Sequence, residues 1–161
     1  MRATQSKQAY GEWEFDIYKG ADGNDSRVGL LCKTPTSTII GAYMIIIGNT
    51  ETLELLKEGV SIMKTASSYI SNNTWYRIKV ARLKSSGTFS SIVPSMTTVY
   101  PANTFAVFIK GGSFGNNYKL VSTAGGSGSN PVTDSTHTTS EFFVADLDAG
   151  DKIANIKLSL S

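Results

Sequence analysis

The chain has 161 residues, a net charge of +2, one histidine and one cysteine. That length favours one domain with a core of its own. The lone Cys32 excludes an internal disulfide and a cysteine-rich zinc site. No block of lysine and arginine exists to track a phosphate backbone, so nucleic acid is a poor partner. Charged residues are 17% of the chain, against 37 serines and threonines and 15 glycines. This composition points to an all-β domain with many turns. Sixteen aromatic residues spread along the chain argue against disorder. Met1 to Gln8 contains no apolar run, and no stretch of about 18 apolar residues follows that would span a bilayer. We therefore expect no signal peptide, folding in the cytoplasm and no membrane insertion.

In chain order, the first strong element is Gly11 to Gly20. Trp13, Phe15 and Ile17 alternate with Glu12, Glu14 and Asp16. Successive strand side chains face opposite ways, so one face is apolar and the other carries three carboxylates. A turn over Gly20–Ser26 leads to Val28–Cys32, where Cys32 reads as a small buried apolar residue. Gly41–Gly48 is a β-branched run suited to a strand buried on both faces. Leu53–Lys57 and Val60–Met63 read as two strands around a Glu58-Gly59 turn. Asn72 and Asn73 turn the chain into a second alternating strand. There Tyr76, Ile78 and Val80 face one way and Trp75, Arg77, Lys79 and Ala81 the other.

Ser90 to Thr104 contains Pro94 and Pro101 and has no clear period, which predicts a long loop inserted between strands. It either folds over its own sheet or offers Val93, Met96, Val99 and Tyr100 to a neighbour. Thr104–Gly112 resumes as strand, with Phe105, Val107 and Ile109 on one face. Tyr118–Thr123 reads as another. Gly125–Ser140 is rich in Gly, Ser and Thr and reads as a surface loop. Its His137 has no nucleophile-elbow motif to accompany it, so a Ser-His-Asp triad is not supported. Glu141–Asp146 is a strand, Asp146–Asp151 an acidic turn, and Ile153–Leu160 a closing strand with Ile156, Leu158 and Leu160 alternating. About ten short strands without a linker or repeat make one antiparallel two-sheet sandwich or jelly roll.

Several segments resemble the concanavalin-like jelly roll, and its laminin-G-type branch in particular. They are Tyr10-Gly-Glu-Trp-Glu-Phe-Asp-Ile-Tyr-Lys, Asn73-Thr-Trp-Tyr-Arg-Ile-Lys-Val-Ala-Arg, Gly87-Thr-Phe, Phe108-Ile-Lys-Gly-Gly and Asp146-Leu-Asp-Ala-Gly-Asp-Lys-Ile-Ala-Asn-Ile-Lys. The resemblance runs from about Tyr10 to Leu158 and implies two sheets face to face, about 10 Å apart. Its members include lectins, adhesive modules, glycoside hydrolases and phage or viral structural proteins, so the fold by itself does not choose a function.

Three chemistries compete for the candidate residues. Glu12, Glu14 and Asp16 have the spacing, though not the identities, of the acid row in a related glucanase family. Retaining hydrolysis would need one of them as nucleophile and another as an acid of raised pKa. Asp22, Asn24 and Asp25, with Asp146, Asp148 and Asp151 further on, offer oxygen ligands that make calcium possible, yet fit no EF-hand spacing. Such residues also favour turns in their own right. Sugar binding would stack a ring on Tyr69, Trp75 or Tyr118 and use Asn72, Asn73, Asn116 or Asn117 for its hydroxyls. Trp75 reads equally as a core residue.

The expected function is a non-catalytic structural or adhesive protein at a virion surface. It would decorate a capsid or sit on a tail and engage host-surface glycan, with other virion proteins or further copies of itself as partners. A stand-alone carbohydrate-binding module is the alternative, and a glucanase-like hydrolase the third reading. No cofactor is required by the first.

Overall fold

The computed structural model describes residues 1–21, 23–35 and 43–160. The strands are β1 (Arg2–Gln5), β2 (Gly11–Lys19), β3 (Ser26–Cys32), β4 (Tyr43–Ile47), β5 (Leu53–Lys57), β6 (Val60–Lys64), β7 (Thr74–Arg82), β8 (Thr104–Lys110), β9 (Lys119–Leu120), β10 (Ser127–Gly128), β11 (Val132–Thr133), β12 (Phe142–Asp146) and β13 (Lys152–Ser159). One sheet runs β1-β12-β3-β4-β5-β6-β10, and the other β11-β8-β7-β2-β13, with β9 also on β8. Every pairing is antiparallel. The protein is an all-β two-sheet sandwich, and the described residues include no α-helix.

Alternation in the sequence becomes two-sidedness in the sandwich. Trp13, Phe15 and Ile17 of β2 and Tyr76, Ile78 and Val80 of β7 face inward. They meet Val28, Leu30, Tyr43, Ile45, Ile47 and Leu55 from the opposite sheet in one core, all of them buried. Burying each large apolar side chain contributes about 1.5–3 kcal/mol before entropy is counted. The β5–β6 hairpin turns where expected. Glu58 (φ 49°) and Gly59 (φ 80°) both lie in the left-handed region that a tight two-residue hairpin demands.

Apolar residues also gather outside both sheets. Cys32, Met44, Ile46, Leu56 and Val144 form a buried cluster on the outer side of the first sheet. Burial pushes the Cys32 thiol up to about 11, so it remains protonated. On the outer side of the second sheet, Ala81, Ala106 and Phe108 are covered by Phe89, with Ile92, Val93, Met96 and Tyr100 packed around it. The segment between β7 and β8 therefore folds over its own sheet. Gly87 and Tyr100 close it by exchanging backbone hydrogen bonds of 3.0 and 2.8 Å.

Four details depart from the sequence reading. β1, which has no apolar pattern, pairs with β12. The segment after Tyr118 forms a strand of two residues only, Lys119–Leu120. The Gly125–Ser140 loop carries β10 and β11. It approaches β6 so closely that a Cβ on Gly128 would lie 2.2 Å from the Ile62 carbonyl oxygen. In β13 a bulge between Ala154 and Lys157 breaks the alternation. Leu158 packs on the core, whereas Ile156 and Leu160 are exposed. Gly41 and Ala42, placed in the β4 strand by the sequence reading, lie outside the described residues.

Candidate functional site

The outward face of the second sheet carries the acid row. Register sets it in rungs across the strands. Asp16 stands opposite Arg77 and Arg77 opposite Lys110, while Glu14 pairs with Lys79, and Tyr18 with Trp75. Opposite charges in directly facing positions attract, so the row becomes an ion-pair ladder. Lys79 Nζ lies 3.1 Å from Glu12 and 3.3 Å from Glu14. Arg77 donates to Asp16 at 2.9 Å, and the Asn155 amide donates to the other Asp16 oxygen at 2.6 Å.

Glu14 is 8% exposed. Burial acts to raise its pKa, but the hydrogen bond from the Tyr118 hydroxyl (2.9 Å) and the Lys79 ammonium outweigh this and hold it below the usual glutamate value. A retaining hydrolase needs a carboxyl whose pKa is raised. The Glu14 shift has the opposite sign, and Glu12 and Asp16 are each engaged by a cation. Asp16 lines a concavity.

That concavity, about 370 Å³, lies where the ladder meets the Gly111–Gly115 turn, and its lining includes Trp75, Arg77, Lys110 and Asn116. Trp75 is 45% exposed and is not a core residue. Its ring sits 5.5 Å from that of Tyr18, tilted by 49°. The Tyr18 hydroxyl donates to Asn73 Oδ1 at 3.2 Å. Asn73 adopts φ 54°, which puts it in the turn just ahead of β7. The indole is therefore an open aromatic face, braced from one side and bordered by polar groups. Such a surface suits a sugar ring, which has an apolar face and a hydroxylated edge.

The other residues expected at a sugar site are placed differently. Asn116 lines the concavity, and its neighbour Asn117 is exposed nearby. Asn72 is exposed in the turn, where its carbonyl accepts from the Thr74 hydroxyl. Tyr118 is half-buried, with the Lys79 and Lys110 ammonium groups 5.0 and 4.6 Å from its ring centre. It shapes the charges beside the groove. Tyr69 is on the core side, against Phe114 (5.1 Å), and its hydroxyl accepts from the Ser122 amide. The sequence reading missed Arg77 and Lys110 as groove residues and Tyr18 as the ring that braces Trp75. Their outward parity on the strands was legible; their alignment into rungs needed the register.

Of the calcium candidates, Asp22 lies outside the described residues. Asp25 accepts from the Asn49 amide at 2.7 Å. The Asn24 carbonyl accepts from Lys19, whose fully buried ammonium also lies 3.6 Å from Asp151. Asp151 accepts in addition from the Gly20 amide and the Ser26 hydroxyl. Among the described residues no group of three or more His, Cys, Asp or Glu is arranged to hold a metal ion.

A second polar cluster lies between β4, β7 and the Asp134–Ser140 segment. The buried Arg82 guanidinium is within 4.6–5.1 Å of the ring centres of Phe105, Tyr10 and Tyr43. It donates to the carbonyls of Ala9 and Asp134. His137 stands edge-on to Tyr43 and bonds Glu58 at 2.9 Å. These contacts make the cluster a clamp on the long loop, with Arg82 Nε, among the described residues, the one buried donor left without a hydrogen-bond partner there. Compared with known families, with curated proteins and with solved structures, the chain finds no match.

Proposed function

We propose that this protein is a non-catalytic adhesive module that holds a glycan in the Trp75 groove, built on a concanavalin-like jelly-roll frame and working at a virion surface. One observation carries the reading: an exposed indole at the edge of a concavity bordered by Asp16, Arg77, Lys110 and Asn116. The 45% exposed ring beside those polar groups offers a face on which a sugar can stack. The salt-bridged acid row supports binding over hydrolysis, because each of its carboxylates is ion-paired with Arg77 or Lys79. No cofactor is invoked.

The test is retention on a glycan array by wild type and by Trp75→Ala. We expect a retained set that Trp75→Ala loses at least tenfold, with stability changed by about 0.5 kcal/mol or less, as for other surface substitutions. An identical retained set in both proteins, or an empty one in wild type, would remove the reading.

Docking onto a particle is favoured by a separate observation. Val60, Val99, Ile156 and Leu160 are exposed apolar side chains that do not line the groove. Co-sedimentation with intact particles, reduced in a Val99→Ser/Ile156→Ser double variant, is the expected result. No co-sedimentation would leave adhesion without a virion role.

A further inference from the structure

We propose that the Trp75 groove selects acidic saccharides, with the ligand's carboxylate or sulfate on the Lys110 ammonium and its ring on the indole; this rests on the glycan reading above. The distribution of charge carries it. The three carboxylates of the sheet face are taken by Arg77 and Lys79, at 2.9 to 3.3 Å. Lys110, next in the Asp16–Arg77 rung, is left over. Among the described residues no carboxylate lies within 4.0 Å of its Nζ.

The Lys110 ammonium rests instead on the Tyr118 ring, 4.6 Å from its centre. That ring is fixed in turn by its hydroxyl, which donates to Glu14 at 2.9 Å. A ring face steadies a cation without filling its N–H donors. Those donors stay available to a ligand. The approach is open as well, since a Cβ at Gly115 would meet nothing within 4 Å. Of the groove's charged residues, Asp16 contributes one negative charge and Arg77 and Lys110 two positive ones. A neutral sugar leaves the Lys110 ammonium without an anionic partner. An anionic one supplies that partner through a charge-assisted hydrogen bond. At a solvated rim the preference is worth about fivefold in affinity and weakens with salt.

The test is an array printed with neutral, sialylated, uronate-bearing and sulfated glycans, probed with wild type, Trp75→Ala, Lys110→Gln, Lys110→Arg and Lys84→Gln. Lys84 is an exposed lysine outside the groove and controls for general surface charge. We expect acidic glycans to dominate the retained set. Lys110→Gln should lower their retention about fivefold towards the neutral level, Lys110→Arg should restore most of it, and Lys84→Gln should match wild type. The carboxylated and sulfated glycans separate the two sources of anion. Equal retention of neutral and acidic glycans, still lost in Trp75→Ala, would overturn the selection and spare the groove. Equal losses in Lys110→Gln and Lys84→Gln would overturn it too, as bulk charge. Retention that ignores Trp75→Ala would overturn both. Unchanged melting temperature in Lys110→Gln excludes misfolding as the cause.

Discussion

Arg82 and Asp134 show what single residues do in this fold. Arg82 ends β7 with its side chain turned inward, where burial lowers its pKa, and three aromatic rings and the carbonyls of Ala9 and Asp134 receive it. Asp134 accepts from the Tyr43 hydroxyl and the Thr136 amide, and pairs with Lys57 at 3.0 Å. Burial would raise the Asp134 pKa, but those bonds outweigh it and hold the carboxyl well below the aspartate range. Tyr43 is pushed up to about 12 by burial and by its bond to Asp134. A carboxylate whose pKa is depressed on folding stabilises above its unfolded pKa, and that stability is lost as pH falls through the folded value. Asp134→Asn should therefore destabilise by about 1–3 kcal/mol near pH 7, and the deficit should shrink between about pH 4 and pH 2. Urea unfolding across that range checks it; a deficit independent of pH would refute the linkage. Neither role was legible in the sequence. Asp134 sits in a Ser/Thr-rich stretch, and only the folded chain places Tyr43, 91 residues away, against it.

At the scale of elements, strands with strict alternation were legible and those held by distant partners were not. β2 and β7 announce their inward faces because a half-buried sheet needs period two. β1 has no such pattern and exists through its backbone pairing with β12. β10 depends on glycines that let it approach β6. The segment between β7 and β8 admitted two readings, and the structure selects the one in which it covers its own sheet through Phe89, 6.0 Å from Phe108 and 5.6 Å from Tyr100. Phe89→Ala removes the centre of that small cluster, at a cost of about 3–5 kcal/mol if the site cannot collapse. Hydrogen exchange at the Gly87 and Tyr100 amides should then speed at least tenfold while β2 and β7 remain protected. Unchanged exchange at both amides would mean that the segment holds itself without Phe89.

At the scale of the whole molecule, the sequence alone determined the fold class, most strand positions and the faces of β2, β7 and β8. Those properties follow from local periodicity and turn chemistry, which each stretch of chain carries within itself. Trp75 and Asn116 were visible as sugar-site candidates and Asp16 as a member of the acid row, and the outward parity of Trp75 and Asp16 follows from the same alternation. Only the tertiary structure decided that they belong to one groove. Strand order and register are relations between distant segments, and they set Asp16, Arg77 and Lys110 in a row beside the indole. The same pairing sets the row of acids in an ion-pair ladder with Arg77 and Lys79, because a carboxylate's surroundings depend on which cation folding brings opposite it.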